Sequence, residues 1–364
     1  MTSQPEPNVT TKVRKFPCEQ CGADLVWNPG VVSLKCPYCS FVKEIPQTAE
    51  GVVERPIEEA LTSRKTLGWG MERKAFHCTR CGSSTTFEAG QAAGACAFCG
   101  TPAVVEAPLD ENMVRPEGVL PFRVDRDASI NTFRSWVKGL WFRPNDLKNK
   151  SAVTHIQGVY VPFWLFDAAT YSAWTAEAGH YYYVSVQVQE NGRMVTRQQQ
   201  RIRWVPAAGR LEHFFDDLPS IASRGLDAGL AQSIEPFPTD GLVAYDKAYL
   251  SGFIAEEYAV DVKEALAAAQ QRMEAEIRAM CASQIPGDTY RNLVVRTSYS
   301  GVAYKNALLP IWIAAYQYGG KAFRFIVNGV TGKASGTAPW SWVKITLAVL
   351  AALVVIAIVL AAKS

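Results

Sequence analysis

Eight of the nine cysteines stand in four Cys-x-x-Cys pairs, and their spacing is that of metal ligands. Cys18 and Cys21 are followed, after fourteen residues, by Cys36 and Cys39. Cys78 and Cys81 are followed at the same interval by Cys96 and Cys99. Each ligand of the second set sits sixty positions after its counterpart, and Phe16/Phe76, Gly22/Gly82, Gly30/Gly90 and Tyr38/Phe98 repeat at the same offset. The chain therefore carries a tandem duplication. Two cysteines separated by two residues in a tight turn aim both sulfurs at one point. Two such turns at the ends of a short hairpin set four thiolates around one tetrahedral Zn²⁺. Gly22, Gly82 and Gly100 follow the second cysteine of their pairs, where the turn favours positive φ, and Ser40 takes that place in the remaining pair. A disulfide framework and a redox Cys-x-x-Cys are the other chemistries open to such pairs. Two complete copies of the spacing favour zinc, as two structural ions. Four sulfurs leave no open coordination position, so catalysis at the metal is not expected. His77 adjoins Cys78, but the ligand set is complete without it, and it reads as a surface histidine.

A unit of about thirty residues is too small to build its own core, so metal binding must supply much of its folding free energy. The rest of the chain must carry these units. Its 364 residues allow two or three domains, and a formal charge of +3 gives no polyanion-binding signature by itself. Placing eight of the nine cysteines in the ribbons fits a reducing compartment. The first thirty residues hold no apolar h-region, so no secretory signal is expected. Ile345 to Ala362 is uncharged, with Thr346 its one polar residue. At 1.5 Å per residue it makes about 27 Å of helix, enough to span a bilayer. Trp340 and Trp342 precede it as interfacial aromatics, with Lys344 and Lys363 at its flanks. The expectation is a single-pass, tail-anchored protein with its N-terminal domains in the cytoplasm.

The predicted architecture is α+β, with two small tandem zinc ribbons, a mixed α+β domain with antiparallel strands, and one C-terminal transmembrane helix. Its segments are a disordered lead (1–13), ribbon one (14–44), a charged linker (45–73), ribbon two (74–106), a connector (107–118), the α+β domain (119–339) and the membrane helix (343–362). A short helix is predicted over Pro56 to Lys65, with Pro at its first position. In the α+β domain, Asp127 or Ser129 caps a helix with Ile130, Phe133, Val137, Leu140 and Trp141 at 3/4 spacing. A second helix, 261–282, presents Leu266, Ala269, Met273, Ile277 and Met280, with Cys281 as a small buried thiol. Strands are predicted at 119–122, 156–171, 181–188, 195–204, 293–299, 308–318 and 322–327. Asn191-Gly192 and Gly319-Gly320 supply turns. Val161-Pro162-Phe163-Trp164 echoes Leu309-Pro310-Ile311-Trp312, as a duplicated α+β unit would, and proline inside a strand predicts an edge or a bulge.

Other chemistry is absent from the sequence. It contains no G-x-x-x-x-G-K-[ST], no G-x-G-x-x-G after a strand, no G-x-S-x-G, and no zinc-protease pairing among His77, His155, His180 and His213. Asp216-Asp217 and Glu256-Glu257 read as solvated surface, and Tyr181-Tyr182-Tyr183 as core or sheet surface. Lys12, Arg14, Lys15, Lys35 and Lys43 of ribbon one face Glu19, Asp24 and Glu44. In ribbon two, Arg73, Lys74 and Arg80 face Glu72, Glu88 and Glu106. With about two negative charges from each zinc–thiolate centre, the ribbons are net acidic, a poor footprint for phosphates.

With both ribbons, the Pro-Phe-Trp strand, the run from Leu308 to Lys333 and the terminal apolar helix placed, the chain resembles the bacterial membrane-anchored double-zinc-ribbon proteins of the YdjG type. Members carry names such as "TFIIB-type zinc ribbon-containing protein" and "primosomal protein N′-like". The helicase sense of the second name conflicts with the missing Walker A loop. Such proteins occur beside flotillin-like SPFH scaffolds and phage-shock-type envelope-stress proteins, so the resemblance implies recruitment of those scaffolds to a membrane. The resulting expectation is a non-enzymatic adaptor with a protein partner and no small-molecule substrate. The alternative is a membrane-tethered zinc-ribbon nucleic-acid-binding protein.

Overall fold

The computed structural model describes residues 16–45, 51–62, 73–88, 96–101, 104–107, 115–144, 156–190, 193–318 and 321–362. The expected lead, the Asn191-Gly192 and Gly319-Gly320 turns, Gly90, Lys363 and parts of the linker and connector lie outside these residues. Ribbon one is a three-stranded antiparallel sheet, β1 (Val26–Asn28), β2 (Ser33–Lys35) and β3 (Val42–Lys43). After it come β4 (Arg55–Pro56) and the short helix α1 (Ile57–Thr62), which begins directly after Pro56. Ribbon two contributes β5 (Arg73–Cys78), β6 (Ser84–Glu88) and β7 (Val104–Ala107).

The remainder is mixed α+β. It runs β8 (Gly118–Val119), α2 (Arg126–Gly139), β9 (Ile156–Glu190), β10 (Arg193–Ile221), α3 (Ala228–Ser233), β11 (Val243–Ala244), β12 (Ile254–Glu256), α4 (Val262–Ser283), β13 (Thr289–Tyr318), β14 (Lys321–Asn328), β15 (Ala334–Gly336) and α5 (Trp342–Ala361). The strands predicted at 156–171 and 181–188 are one continuous strand, as are those at 293–299 and 308–318. The large sheet is centred on β13 and β9, which pair antiparallel, and it extends through β12 to β6, β5 and β7. Ribbon two is thus an outer part of the large sheet, while ribbon one keeps a sheet of its own.

The echoed Pro-containing motifs mark a repeat in the structure. Leu309 pairs with Val161 and Leu308 with Pro162, so the two motifs meet at their first residues on antiparallel strands at the centre of the sheet and run apart from there. One unit is β8–α2–β9–β10 and the other β12–α4–β13–β14. β8 pairs parallel with β13, and β12 pairs parallel with β9, so each unit's first strand lies against the other unit's long strand. Asp125 and Asp261 cap the two helices, accepting from Ala128 N and Glu264 N. Ser129, Phe133 and Val137 of α2 are buried, as are Ala265, Ala269 and Met273 at the matching positions of α4. Trp164 Nε1 donates to Val260 O and Trp312 Nε1 to Val124 O, each at 2.9 Å. Each tryptophan thereby ties its own strand to the chain just before the other unit's helix.

The two prolines correct the expectation of an edge or bulge. Both sit in the central strands, where the outer neighbour changes. Beside Pro162 the neighbour passes from β12 to β10, and beside Pro310 from β8 to β14. Each proline carbonyl turns outward into that gap and accepts one N–H, from Ala222 and Gly329 respectively. Residues at such positions place their own N and C=O on the same side, so the missing N–H falls where no strand requires it.

The helix caps and faces also differ in detail from expectation. The cap of α2 is Asp125 rather than Asp127 or Ser129, and Trp141 is 79% exposed rather than part of the buried face. Cys281 is fully buried in the core beside Ile277.

Candidate metal centres

All four Cys-x-x-Cys turns are built alike. The carbonyls of Cys18, Cys36, Cys78 and Cys96 accept from the N–H of Gly22, Ser40, Gly82 and Gly100 at 2.8–3.1 Å. Those four residues have φ of 72°, 63°, 76° and 67°, the left-handed turn expected from the sequence. The first cysteine's N–H then bonds the carbonyl five residues on, from Cys18 N to Ala23 O through Cys96 N to Thr101 O. These turns bring the sulfurs together. Cys18 and Cys39 Sγ are 3.4 Å apart and Cys21 and Cys36 Sγ 3.5 Å, while Cys78–Cys99 and Cys81–Cys96 are each at 3.6 Å. Within each set all four sulfurs lie within 4.8 Å of one another. A zinc tetrahedron with bonds of about 2.3 Å has sulfur–sulfur edges near 3.8 Å. A disulfide requires about 2.05 Å, and all nine cysteines are free. Both four-cysteine clusters therefore fit a zinc ion. Backbone N–H groups led by that of Cys39 draw the Cys36 thiol down to about 6. The Cys81 thiol, the leading influence on Cys96, helps draw that group down to about 4. One sulfur in each set is thus readily a thiolate, the form that binds metal.

The surroundings of the clusters differ sharply. In ribbon two, Cys78, Cys96 and Cys99 are buried, and Phe98 between the last two cysteines is 0% exposed. Ser83 Oγ lies 3.3 Å from both Cys81 and Cys96 Sγ. β12 docks on β6, with Ala255 opposite Thr86 and Glu256 opposite Thr85, and Glu257 N donates to Ser84 O. In ribbon one, Cys21 and Cys39 are exposed and Tyr38, the counterpart of Phe98, is 83% exposed. This ribbon is held by its other edge. Trp27 N donates to Ser251 O, Ser251 Oγ to Leu25 O, and Trp27 Nε1 to Phe122 O, while the Trp27 ring meets Tyr249 at 5.0 Å. His77 is half-buried, with Nδ1 3.2 Å from Ser84 Oγ across the β5–β6 pair.

Of the two carboxylate pairs expected on the solvated surface, only Asp216 is exposed. Glu256 and Glu257 are both buried, because β12 runs between β9 and β6 in a sheet covered on both faces. Glu256 accepts from Ser223 Oγ at 2.8 Å, and burial pushes its carboxyl well above the usual range. Asp216 is exposed, but Asp217 occupies a bulge in β10 at φ 52° and pairs with the buried Lys305 at 2.6 Å. Lys305 also reaches Glu54 at 2.9 Å, and Asp167 Oδ1 accepts from Asp217 N. Asp167, Asp216 and Asp217 stand close enough to share an ion, yet Lys305 already supplies a cation to this network. Nothing in the local sequence marks Asp167 or Lys305; the bulges in β10 opposite Asp167 and in β13 opposite Ala168 are visible only in the sheet register.

At the far end of the chain, α5 is a twenty-residue apolar helix, long enough to cross a membrane, and none of it is buried against the protein. Its start is framed by exposed Trp340, Trp342, Trp141 and Phe142. Ser341 N donates to Phe142 O, Lys344 Nζ to Trp141 O, and the Arg143 guanidinium lies 3.6 Å from the Trp340 ring centroid.

These features define a mixed α+β protein with two four-cysteine centres and one exposed apolar helix. Sequence comparison finds a distant homologue, the uncharacterized protein YdjG of Bacillus subtilis (strain 168), 27% identical over 235 residues. The match covers 62% of this chain and 64% of YdjG, so it spans slightly less than two thirds of that relative. No family model matches the chain, and no solved structure matches it.

Proposed function

We propose that the chain is a non-enzymatic membrane adaptor. In this reading it holds two structural zinc ions, inserts α5 into a membrane with the preceding residues in the cytoplasm, and presents docking surfaces to protein partners. SPFH or flotillin-like and phage-shock-type scaffolds are the partner class the family resemblance implies. The carrying observation is α5 itself, an apolar helix without a buried residue, collared by Trp141, Phe142, Trp340 and Trp342. Such a collar suits the membrane–water interface, where aromatic rings settle at the headgroups. Four thiolates at each centre fill a zinc ion's coordination sphere, which supports scaffolding over catalysis.

The test has two parts. Protease added outside intact spheroplasts leaves both ribbons uncut, and deleting 345–362 releases the protein from the membrane fraction. Purification from native membrane then recovers a scaffold protein with the intact chain. Digestion of the ribbons from outside would overturn the topology, and recovery of the chain alone would overturn the adaptor role.

One observation favours a second reading, a tethered nucleic-acid-binding protein. Beyond the end of β13, β9 and β10 continue as a two-stranded arm, and β13 reaches only to Gly179 of β9. Arg193, Arg197, Arg201 and Arg203 share one face of this arm, with Glu190 paired to Arg197 at 2.6 Å. The same face carries Val184, Val186, Val188 and Val195, for which phosphates offer no partner, so the adaptor reading is preferred. Retention on a DNA duplex that falls with salt and is lost in Arg197→Ala/Arg201→Ala would reverse that preference.

A further inference from the structure

The duplicated ribbons supply an internal template. Phe98, at the knuckle between Cys96 and Cys99, is seated on the bend Ser223–Leu226. That bend carries Gly225 at the contact, where a Cβ would stand 2.6 Å from Ser83 Cβ and 3.0 Å from Phe98 Cγ. Ser223 Oγ accepts from Gly225 N, Arg324 Nη1 donates to Gly225 O, and Leu226 is buried beside the knuckle. A zinc knuckle of this chain therefore takes a glycine-bearing bend with a small polar residue before it and an aliphatic residue after it.

Tyr38 holds the equivalent place in ribbon one. In the same ribbon, Val31, Val32 and Val42 are also exposed. Ribbon one is fixed through Leu25 and Trp27 on residues 249–251, which leaves Tyr38 in solvent. The covered knuckle carries phenylalanine and the open one tyrosine, an amphipathic ring suited to a surface that is alternately wet and covered. Lys43 is compensated by Glu19 at 2.7 Å, which takes one basic charge of this ribbon away from phosphates.

We infer that the Tyr38 knuckle is the docking site for a second protein and that it takes a glycine-bearing bend of the Ser223–Leu226 kind. This deepens the adaptor reading and rests on it for biological meaning, but the binding itself does not depend on membrane topology. A second copy of this chain is disfavoured as the occupant, since its own bend is already covered by its own Phe98.

The test uses the full zinc-loaded chain in detergent micelles and a labelled synthetic peptide with the sequence of residues 219–230. Anisotropy shows saturable binding by the wild type. Tyr38→Ser weakens it by about tenfold or more, while Tyr38→Phe stays within about threefold, the behaviour of an aromatic anchor. A peptide with valine in place of its Gly225 does not bind. Two zinc ions per chain in each variant show that the ribbons remain folded. No saturable binding by the wild type, or equal binding by Tyr38→Ser, overturns the proposal. Tyr38-dependent binding of a 20-base-pair duplex instead, or Tyr38-dependent dimerisation by light scattering, assigns the knuckle another occupant and also overturns it. Because these measurements are made in micelles, a failed adaptor reading shows in the spheroplast and native-membrane experiments and a failed knuckle shows here.

Discussion

Ribbon one and ribbon two have the same ligand spacing and the same turn geometry, and the chain uses them in different ways. Ribbon two gives three strands to the large sheet, buries three of its four cysteines and sinks Phe98 into the core with Leu226, Leu120 and Val159. Ribbon one keeps a separate sheet, attaches through Leu25 and Trp27, and leaves Tyr38, Cys21 and Cys39 in solvent. A four-cysteine ribbon is thus a block whose turns set the knuckle and whose flanking residues decide whether that knuckle becomes core or surface. Here the β6–β12 pairing and the Ser223–Leu226 bend bury one knuckle, while Tyr38 at the other stays exposed.

The largest consequence concerns the metals. Cys96→Ser is expected to remove one zinc and with it the cooperative folding of the α+β region. Structural zinc can contribute on the order of 10 kcal/mol, comparable to the whole stability of a domain. Cys36→Ser is expected to remove the other zinc while the main thermal transition survives, as elemental analysis and calorimetry on the same samples will show.

The knuckles come next. Phe98→Ala is expected to cost about 3–5 kcal/mol, the range for truncating a buried aromatic, whereas Tyr38→Ala should stay within about 0.5 kcal/mol. Denaturant unfolding of the two variants side by side checks this, and equal costs would break the comparison.

Gly225→Ala probes the seat of ribbon two. Its Cβ meets Ser83 Cβ and the Phe98 ring, and neither is the free end of a flexible side chain. A loss of about 1–3 kcal/mol is expected from overpacking. A smaller loss belongs to ribbon one's own attachment. Trp27→Phe leaves Phe122 O without its donor and is expected to cost about 1 kcal/mol, read as a lower midpoint for protease cleavage in ribbon one.

The sequence made the ligands legible because a Cys-x-x-Cys turn is a local device: its hydrogen bonds run within five residues, and its φ angles are set by Gly22, Gly82, Gly100 and Ser40. The α2 and α4 periods were legible for the same reason. What escaped was decided by partners far away in the chain. Nothing near Tyr38 or Phe98 says which is covered, because the answer lies at Gly225. The buried Glu256 and the Asp167–Lys305 network follow from strand order and from bulges, and Trp141 leaves its helix face for the collar around α5. The Pro162 and Pro310 motifs were seen as an echo, but their common logic needs the register that places both at gaps between outer strands.

Stepwise zinc removal, followed by hydrogen exchange read for each ribbon and for α4, tests the central claim most directly. As a chelator is titrated in, one equivalent of zinc should leave first, with deprotection confined to residues 16–45 and α4 still protected. The second should leave only together with global exchange of the large sheet. Release of both ions in one step, or early loss of ribbon two's zinc with the sheet intact, would contradict the division between a ribbon that is core and a ribbon that is presented.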